Sequence, residues 1–165
     1  MIAWTVLRIV GSITVLVALY YLLPLDHSST GIAVTTLVIG LVLFIALVAF
    51  QVRSIIASPF PGLRAIEALA TSVPLFLLLF ASSYVVMSAM SAGNFDGQLT
   101  QTDALYFTVT VFSTVGFGDI TAKTQAARLL VTGQMIGDLV ILGLAVKVIV
   151  GAVSRRRQPG DSDGA

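Results

Sequence analysis

The segment Thr114-Val-Gly-Phe-Gly-Asp119 determines how the rest of this chain is interpreted. Its two glycines, Gly116 and Gly118, alternate with larger residues. Glycine adopts φ > 0 readily, whereas a side chain disfavours it. A backbone that uses this freedom can turn successive carbonyl oxygens to one side, and a column of such oxygens can replace the water around a dehydrated monovalent cation. The segment is therefore a candidate cation-binding site.

The composition around this segment is typical of a membrane protein. The chain has 165 residues, of which 57% are hydrophobic and 10% are charged, whereas soluble domains carry about 25% charged residues. So few charges cannot give a chain a charged surface toward water. The net charge of +1 provides no electrostatic basis for binding nucleic acid, and the lack of Cys excludes disulfides and thiolate metal sites.

Four hydrophobic stretches are long enough to cross a bilayer, which takes about 20 helical residues. They run over approximately Ala3–Leu23, Ile32–Val52, Ala68–Met90 and Leu129–Val153. A signal peptide is the alternative for the first stretch because Arg8 precedes an apolar run, but no small-x-small cleavage site follows Leu23. We therefore predict an all-α integral membrane protein with four transmembrane helices.

Basic residues indicate the orientation of these helices, because cytoplasmic loops are enriched in Lys and Arg. One side of the predicted membrane carries Arg53, Arg64, Arg155, Arg156 and Arg157. The other carries Lys123 and Arg128 together with Asp26, Asp96, Asp103 and Asp119. We expect a multi-pass plasma-membrane protein with both termini in the cytoplasm and the Thr114–Asp119 segment entering from outside.

The chain divides into four regions. Residues 1–52 form two N-terminal helices, 53–67 a cytoplasmic linker with helix-breaking prolines, 68–153 the region of the Gly-x-Gly segment, and 154–165 a polar tail that we expect to be disordered. A voltage sensor needs several Arg spaced three apart along one membrane helix. The first two stretches have only Arg8 and Arg53, at their ends, so we expect voltage-independent behaviour. His27 could sense external pH, or it is simply solvated in its loop.

The segment before Thr114 is too short to cross a bilayer. Thr102 or Asp103 can cap a helix start, and Tyr106–Ser113 fits a half-membrane, re-entrant helix that ends at Thr114. The negative end of that helix would favour a cation. Non-helical backbone at membrane depth is tolerated where it is buried in protein or lines water, a condition that a Gly-x-Gly loop facing a pore would meet.

From about Pro74 to Val153 the chain resembles the pore domain of the potassium-channel family. The resemblance rests on Ser113–Asp119, which follows a pore-helix-like segment between two spans; Phe117 stands where the family more often has Tyr. It implies a selectivity filter formed by Thr114, Val115, Gly116, Phe117 and Gly118. Carbonyls of the first four, with the Thr114 hydroxyl, would bind K+. Because the family pore needs four filter strands and each chain supplies one, the resemblance implies a homotetramer in a lipid bilayer, with no cofactor besides K+.

Asp119 would lie at the outer mouth of such a filter. In related channels a pore-helix carboxylate or tryptophans hold this Asp, whereas the corresponding positions here are Tyr106, Phe107 and Thr110. We expect Tyr106 or a water molecule to be its partner, and Tyr106 and Thr110 to support the filter. Alternatively, Asp119 only raises the cation concentration at the mouth.

Asp138 lies near the middle of the fourth stretch, where a charged group is costly and usually faces a cavity or a partner. Many family members have a hinge Gly at this position. One hypothesis is a ring of four carboxylates near the cavity that concentrates cations. The other is an Asp packed against a neighbouring helix through Gln134, or through a hydroxyl of Thr110 or Ser113.

Counting from the filter also indicates which residues line the cavity or the inner gate. The candidates besides Asp138 are Gly137, Leu139, Leu142, Gly143, Val146 and Val150. Gly137 and Gly143 are either hinge positions or sites of close helix packing, and Gly133 is assigned to packing.

The sequence thus predicts a potassium-selective channel that passes K+ passively and is not an enzyme. A weakly selective cation channel usually alters the second half of the filter. A membrane subunit of a K+ uptake transporter usually belongs to a chain with four degenerate loops, each with a single key Gly. The complete Thr-Val-Gly-Phe-Gly loop argues against both alternatives, and nothing in the sequence favours a non-conducting scaffold.

Overall fold

A computed structural model describes residues 2–22, eleven scattered positions between 31 and 53, and residues 61–154. Within these ranges the chain is helical and contains no strand. The helices are α1 (Ile2–Leu22), α2 (Pro61–Met90), α3 (Gln101–Phe112) and α4 (Gln125–Ser154), and a 3-10 turn occupies Ala92–Asn94. Every described position between 31 and 53 is helical. Most of the predicted second span, His27, residues 54–60 of the linker and the 155–165 tail lie outside the described residues.

Two of these helices are long and apolar enough to cross a membrane, over Ile66–Met90 and Gln125–Lys147. They correspond to the predicted third and fourth spans. The apolar part of α1, among its described residues, is shorter and covers Val10–Leu22. The helix boundaries differ from those expected from hydrophobicity alone.

Both long helices begin earlier than their apolar stretches, because local chemistry at the helix starts sets the boundary. α2 begins at Pro61, inside the predicted linker, and proline is well suited to the first helical position. α4 begins at Gln125 rather than Leu129 because the Thr124 hydroxyl accepts a hydrogen bond from the amide of Ala127 at 3.3 Å.

The start of α3 also differs from expectation. Thr100, and not Thr102 or Asp103, caps this helix: its hydroxyl accepts from the amide of Asp103 at 3.1 Å, and the Asp103 carboxylate accepts from the amide of Thr100 at 3.0 Å. Two residues three apart satisfy each other's backbone donors in this way. α3 is therefore a capped helix of 12 residues.

Helix α2 lies at the centre of the described fold and packs against α1, α3 and α4. Tyr84 of α2 forms an aromatic cluster with Phe95 and Phe107, with ring centroids 5.1 to 5.9 Å apart in edge-to-face arrangements. Such pairs contribute about 0.5–1.5 kcal/mol each beyond the area they bury. The cluster therefore holds α3 firmly against α2.

Helix α4 contributes only one narrow strip to this core. Among the side chains of α4 that the structure describes, the buried ones are Ala127, Val131, Gln134 and Asp138. Only 17% of the apolar Gln125–Lys147 segment is buried within the chain. The remaining apolar surface of α4 therefore needs lipid or further protein chains to cover it.

Candidate functional site

The backbone of the Thr114–Asp119 segment alternates in handedness. Thr114, Gly116 and Gly118 have φ of +60°, +53° and +77°, whereas the intervening Val115 and Phe117 do not have positive φ. The glycine spacing predicts positive φ at Gly116 and Gly118, and in the structure Thr114 has positive φ as well. A non-glycine residue in this region costs about 1–2 kcal/mol, so the surrounding contacts must hold Thr114 there.

Those contacts are hydrogen bonds from the amides of the segment to the end of α3. The amide of Thr114 donates to the carbonyl of Val111 at 3.0 Å. The amides of Val115 and Gly116 both donate to the carbonyl of Thr110, at 3.1 and 3.2 Å. The C-terminal end of α3 thus accepts the first three amides of the segment, so these amides point back toward α3.

The carbonyls of the segment are left available by this arrangement. Within the described part of the chain, none of the carbonyls of residues 114–117 accepts a backbone hydrogen bond. The amides of residues 114–116 are therefore hydrogen-bonded to α3, whereas the carbonyls of residues 114–117 accept no backbone hydrogen bond there. This is the arrangement that a column of oxygen ligands for a dehydrated cation requires.

Thr110 supports the segment through its backbone rather than through its side chain. Its carbonyl also accepts a hydrogen bond from the Ser113 hydroxyl at 3.3 Å. The Thr110 hydroxyl donates back to the carbonyl of Phe107 at 2.8 Å and is buried. The residue is thus in the predicted supporting place, and its hydroxyl does not reach the segment or Asp138.

Tyr106 contacts the second half of the segment in two ways. Its ring stacks on the ring of Phe117 with centroids 6.3 Å apart and planes 4° apart. Its hydroxyl lies near the carboxylate of Asp119 and interacts with it electrostatically. Tyr106, one of the two partners expected for Asp119, therefore lies beside that carboxylate. Tyr106, Phe117 and Asp119 are all exposed on the single chain.

The stretch between the segment and α4 is tied to the loop that precedes α3. The Asp96 carboxylate accepts from the amide and hydroxyl of Thr121, at 3.2 and 2.7 Å, and pairs with the Lys123 ammonium at 2.9 Å. The hydrogen bonds from Thr121 and Lys123 lower the pKa of Asp96. Asn94 accepts from the Thr124 hydroxyl at 2.8 Å. We call these residues the outer latch.

Gln134 joins α2, α3 and α4 at one buried point. Its side-chain oxygen accepts from the Tyr84 hydroxyl at 2.7 Å, and its amide donates to the backbone carbonyl of Thr108 at 3.0 Å. The same amide group lies 3.4 Å from the Asp138 carboxylate. Gln134 is completely buried. It therefore couples the long helix α4 to the helix that carries the filter-like segment.

Asp138 belongs to this buried junction. Its side chain is only 4% exposed, and one of its oxygens, Oδ1, has no hydrogen-bond partner in the described part of the chain. A residue buried between helices of its own chain does not present its carboxylate to a central cavity. The structure therefore favours packing through Gln134 over the cavity ring of carboxylates.

The other candidates on α4 separate into two groups. Gly137 faces α2, where an added Cβ would lie 2.8 Å from Cζ of Phe76, so close packing is its observed role. The second group is exposed on the single chain and consists of Leu139, Leu142, Gly143, Val146 and Val150. An added Cβ at Gly133 or Gly143 would meet nothing within 4 Å, so no contact of the described chain explains the packing expected for Gly133.

Tyr84 and the outer latch are the supporting residues that sequence reasoning missed. Tyr84 is the one tyrosine in the predicted span Ala68–Met90, and a phenolic hydroxyl there is a signal that a buried partner exists. Asp96 and Lys123 are 27 residues apart, and nothing in their spacing indicates that they pair.

Comparison with known proteins connects this site to a family. The profile of a family described as "Ion channel" matches residues 72–155, just over half of the chain. The chain is 36% identical over 84 residues to two pore potassium channel c of Oryza sativa subsp. japonica, which covers 46% of this chain and 18% of that protein. It is 34% identical over 86 residues to potassium channel subfamily T member 1 of Mus musculus, which covers 52% of this chain and 7% of that protein.

The chain therefore spans less than a fifth of the length of these curated relatives. No solved structure matches it. The matched residues contain most of α2, all of α3, the Thr114–Asp119 segment and α4. Because the profile spans half of the chain and surrounds the site described above, the chain belongs to the ion-channel family, which is not a family of enzymes, and carries a pore domain of the potassium-channel type.

Proposed function

We propose that this chain is one subunit of a homotetrameric channel that conducts K+ passively and selectively across the plasma membrane. The observation that carries the proposal is the alternation of positive φ at Thr114, Gly116 and Gly118, together with amides that are engaged by α3. The carbonyls of Thr114, Val115, Gly116 and Phe117 are the proposed ligands of K+, with the Thr114 hydroxyl as the innermost ligand. These oxygens would replace the hydration shell of the ion.

The exposure of the filter supports the tetramer. Val115 and Phe117 are 55% and 69% exposed on the single chain. They alternate with Thr114, Gly116 and Gly118, whose positive φ must be held by surrounding contacts. Neighbouring subunits would cover these side chains and bring three more columns of carbonyls around one axis. The exposed face of α4 with Leu139, Val146 and Val150 would then line the cavity or the inner gate.

The four-helix topology completes the proposal. We propose that α1 and the helical positions between 31 and 53 form two further membrane spans, that both termini lie in the cytoplasm, and that Asp119 faces the outside. The distribution of Lys and Arg supports this orientation. The described part of the first two helices has no series of Arg spaced three apart, which supports gating independent of voltage.

Flux from liposomes that contain only this protein tests the proposal. We expect K+ and Rb+ to exchange down their gradients without an energy source and Na+ to be excluded. Equal Na+ and K+ flux would instead indicate a weakly selective cation channel, and flux that needs an energy source or a second protein would indicate a transporter subunit. Cross-linking in the membrane should yield a species of four chains.

A matched pair of glycine variants connects the flux to the filter. Gly118→Ala places a side chain at φ +77°. Gly93 lies in the 3-10 turn before α3 and does not have positive φ, and a Cβ added there would lie 3.7 Å from Oγ of Ser91, an ordinary contact distance. We expect Gly118→Ala to abolish selective K+ flux and Gly93→Ala to retain it. Selective flux from Gly118→Ala would contradict the assignment of this segment as the filter.

A further inference from the structure

Helix α1 lies outside the region that the ion-channel family covers, yet it contacts the first residue of α3. The Tyr20 hydroxyl donates to the backbone carbonyl of Gln101 at 2.6 Å. In return, the side-chain amide of Gln101 donates to the backbone carbonyl of Tyr20 at 3.2 Å. The two residues are 81 positions apart. A reciprocal pair of hydrogen bonds therefore joins the C-terminal end of α1 to the N-terminal end of α3.

Burial distinguishes this contact from incidental surface contact. Tyr20 is 3% exposed, and it is the one fully buried side chain among those described in α1. Leu16 and Val17 pack partly against the same core. The adjacent Tyr21 is exposed, and its hydroxyl lies 3.4 Å from Oγ1 of Thr102, at the outer limit of hydrogen bonding. The two neighbouring tyrosines thus differ sharply in how firmly they engage α3.

The position of Gln101 connects this contact to the filter. Gln101 begins α3, and Thr110, near its other end, accepts the amides of Val115 and Gly116. A capped helix of 12 residues is a rigid rod of about 18 Å. A shift at the end held by α1 is therefore transmitted to the end that holds the filter, because the rod does not bend.

We propose that α1 clamps the pore helix α3 in place, and that Tyr20 is a positioning residue for the selectivity filter. The inference rests on the proposed channel function. It assigns α1 a specific role: the outer end of this helix sets the position of α3 and so the geometry of the carbonyl column. Movement of α1 in the membrane then has a direct route to the filter.

Two conservative variants provide the test. Tyr20→Phe removes one hydroxyl and keeps the buried ring, and Tyr21→Phe makes the same change at the exposed neighbour. Both are reconstituted as full-length protein, and the K+ to Na+ flux ratio is measured together with the rate at which K+ flux is lost when external K+ is removed. We expect Tyr20→Phe to change the balance between conducting and non-conducting filters about fivefold, the size of effect of one hydrogen bond. Tyr21→Phe should match the wild type.

The outcomes separate the clamp from the channel proposal. Suppose that the wild type shows selective flux and that Tyr20→Phe has the same K+ to Na+ ratio and the same loss rate. This result would overturn the clamp but not the channel proposal. A Tyr20→Phe protein that is less stable but has an unchanged flux ratio and an unchanged loss rate would also overturn it, because α1 would then be merely structural. No selective flux from the wild type would overturn both proposals.

A second measurement covers the case in which Tyr20→Phe fails to assemble. The chain has no Cys, so Tyr20→Cys combined with Gln101→Cys introduces the only two thiols. Joining them within one chain by a short bifunctional thiol reagent should restore the flux ratio that the unlinked double variant loses. Equal ratios before and after linking, with linking verified on a denaturing gel, would overturn the clamp.

Discussion

The hydroxyl of Tyr84 in α2 lies 2.7 Å from Oε1 of Gln134 in α4, and both side chains are completely buried. The amide of Gln134 continues the chain of hydrogen bonds to the carbonyl of Thr108 in α3. Three helices thus share one polar junction inside an apolar environment, where an unpaired group is costly. The junction therefore fixes the C-terminal half of α3 relative to α2 and α4.

Removing one partner of the junction should destabilise the protein. Tyr84→Phe leaves Oε1 of Gln134 buried without its donor, and we expect a loss of about 1–3 kcal/mol in unfolding free energy. Thermal unfolding in detergent measures the effect, with the exposed Tyr21→Phe as control. Because the two groups are coupled, Tyr84→Phe combined with Gln134→Leu should cost less than the sum of the single changes. Additive losses would contradict the coupling.

Close packing at Gly137 yields a second prediction. Gly137→Ala would place a Cβ 2.8 Å from Cζ of Phe76, and overpacking of this kind costs about 1–3 kcal/mol. Thermal unfolding should show the loss, and adding Phe76→Leu should recover part of it. Gly143→Ala is the control: its Cβ meets nothing within 4 Å, so the variant should be neutral or more stable by up to about 1 kcal/mol. Equal losses at both glycines would point to a hinge rather than to packing.

Asp138→Asn distinguishes the buried junction from a cavity ring. The Asp138 side chain is 4% exposed and lies beside Gln134, and Asn retains an oxygen that can accept from that amide. We therefore expect unchanged K+ conductance and unchanged block by internal polyvalent cations, measured in planar bilayers. Strongly weakened block would show that the carboxylates face the pore after all.

Tyr106 can be tested for its ring and its hydroxyl separately. Tyr106→Phe keeps the ring stacked on Phe117 and removes the hydroxyl near Asp119, whereas Tyr106→Leu removes both. K+ flux after removal of external K+ should decay faster in Tyr106→Phe than in the wild type, and fastest in Tyr106→Leu. If Tyr106→Phe decays as fast as Tyr106→Leu, the ring contributes nothing to filter stability.

The outer latch should respond to acid. Hydrogen bonds from Thr121 and Lys123 lower the pKa of Asp96 in the folded state, so the latch stabilises the fold fully above the ordinary carboxyl pKa of about 4. Its contribution is lost as the pH falls through the lowered pKa of Asp96. The difference in unfolding temperature between the wild type and Asp96→Asn should therefore shrink below about pH 4. A difference that is constant from neutral to strongly acidic pH would contradict the latch.

The chemistry of short segments could be predicted from the sequence because it depends on neighbouring residues alone. The spacing of Gly116 and Gly118 predicts positive φ at both, and the structure has it. The length of the apolar stretches predicts two long helices that the structure contains. The cap of α3 is equally local: Thr100 and Asp103 stand in the right spacing, although the capping residue expected from the sequence was Thr102 or Asp103.

Only the tertiary structure decided which side of each helix faces which neighbour. Asp138 and Leu139 are adjacent in the sequence, yet the first is buried and the second is 68% exposed, because the rotation of α4 about its axis is set by its packing against α2 and α3. The same holds for residues far apart in the chain, such as Tyr20 with Gln101 and Asp96 with Lys123. Thus the sequence by itself determined the backbone conformation of the Gly-x-Gly segment and the helices that flank it, since backbone preference and hydrophobic length are local. The supports of that segment arise from contacts between distant parts of the chain, which exist only once the helices have packed.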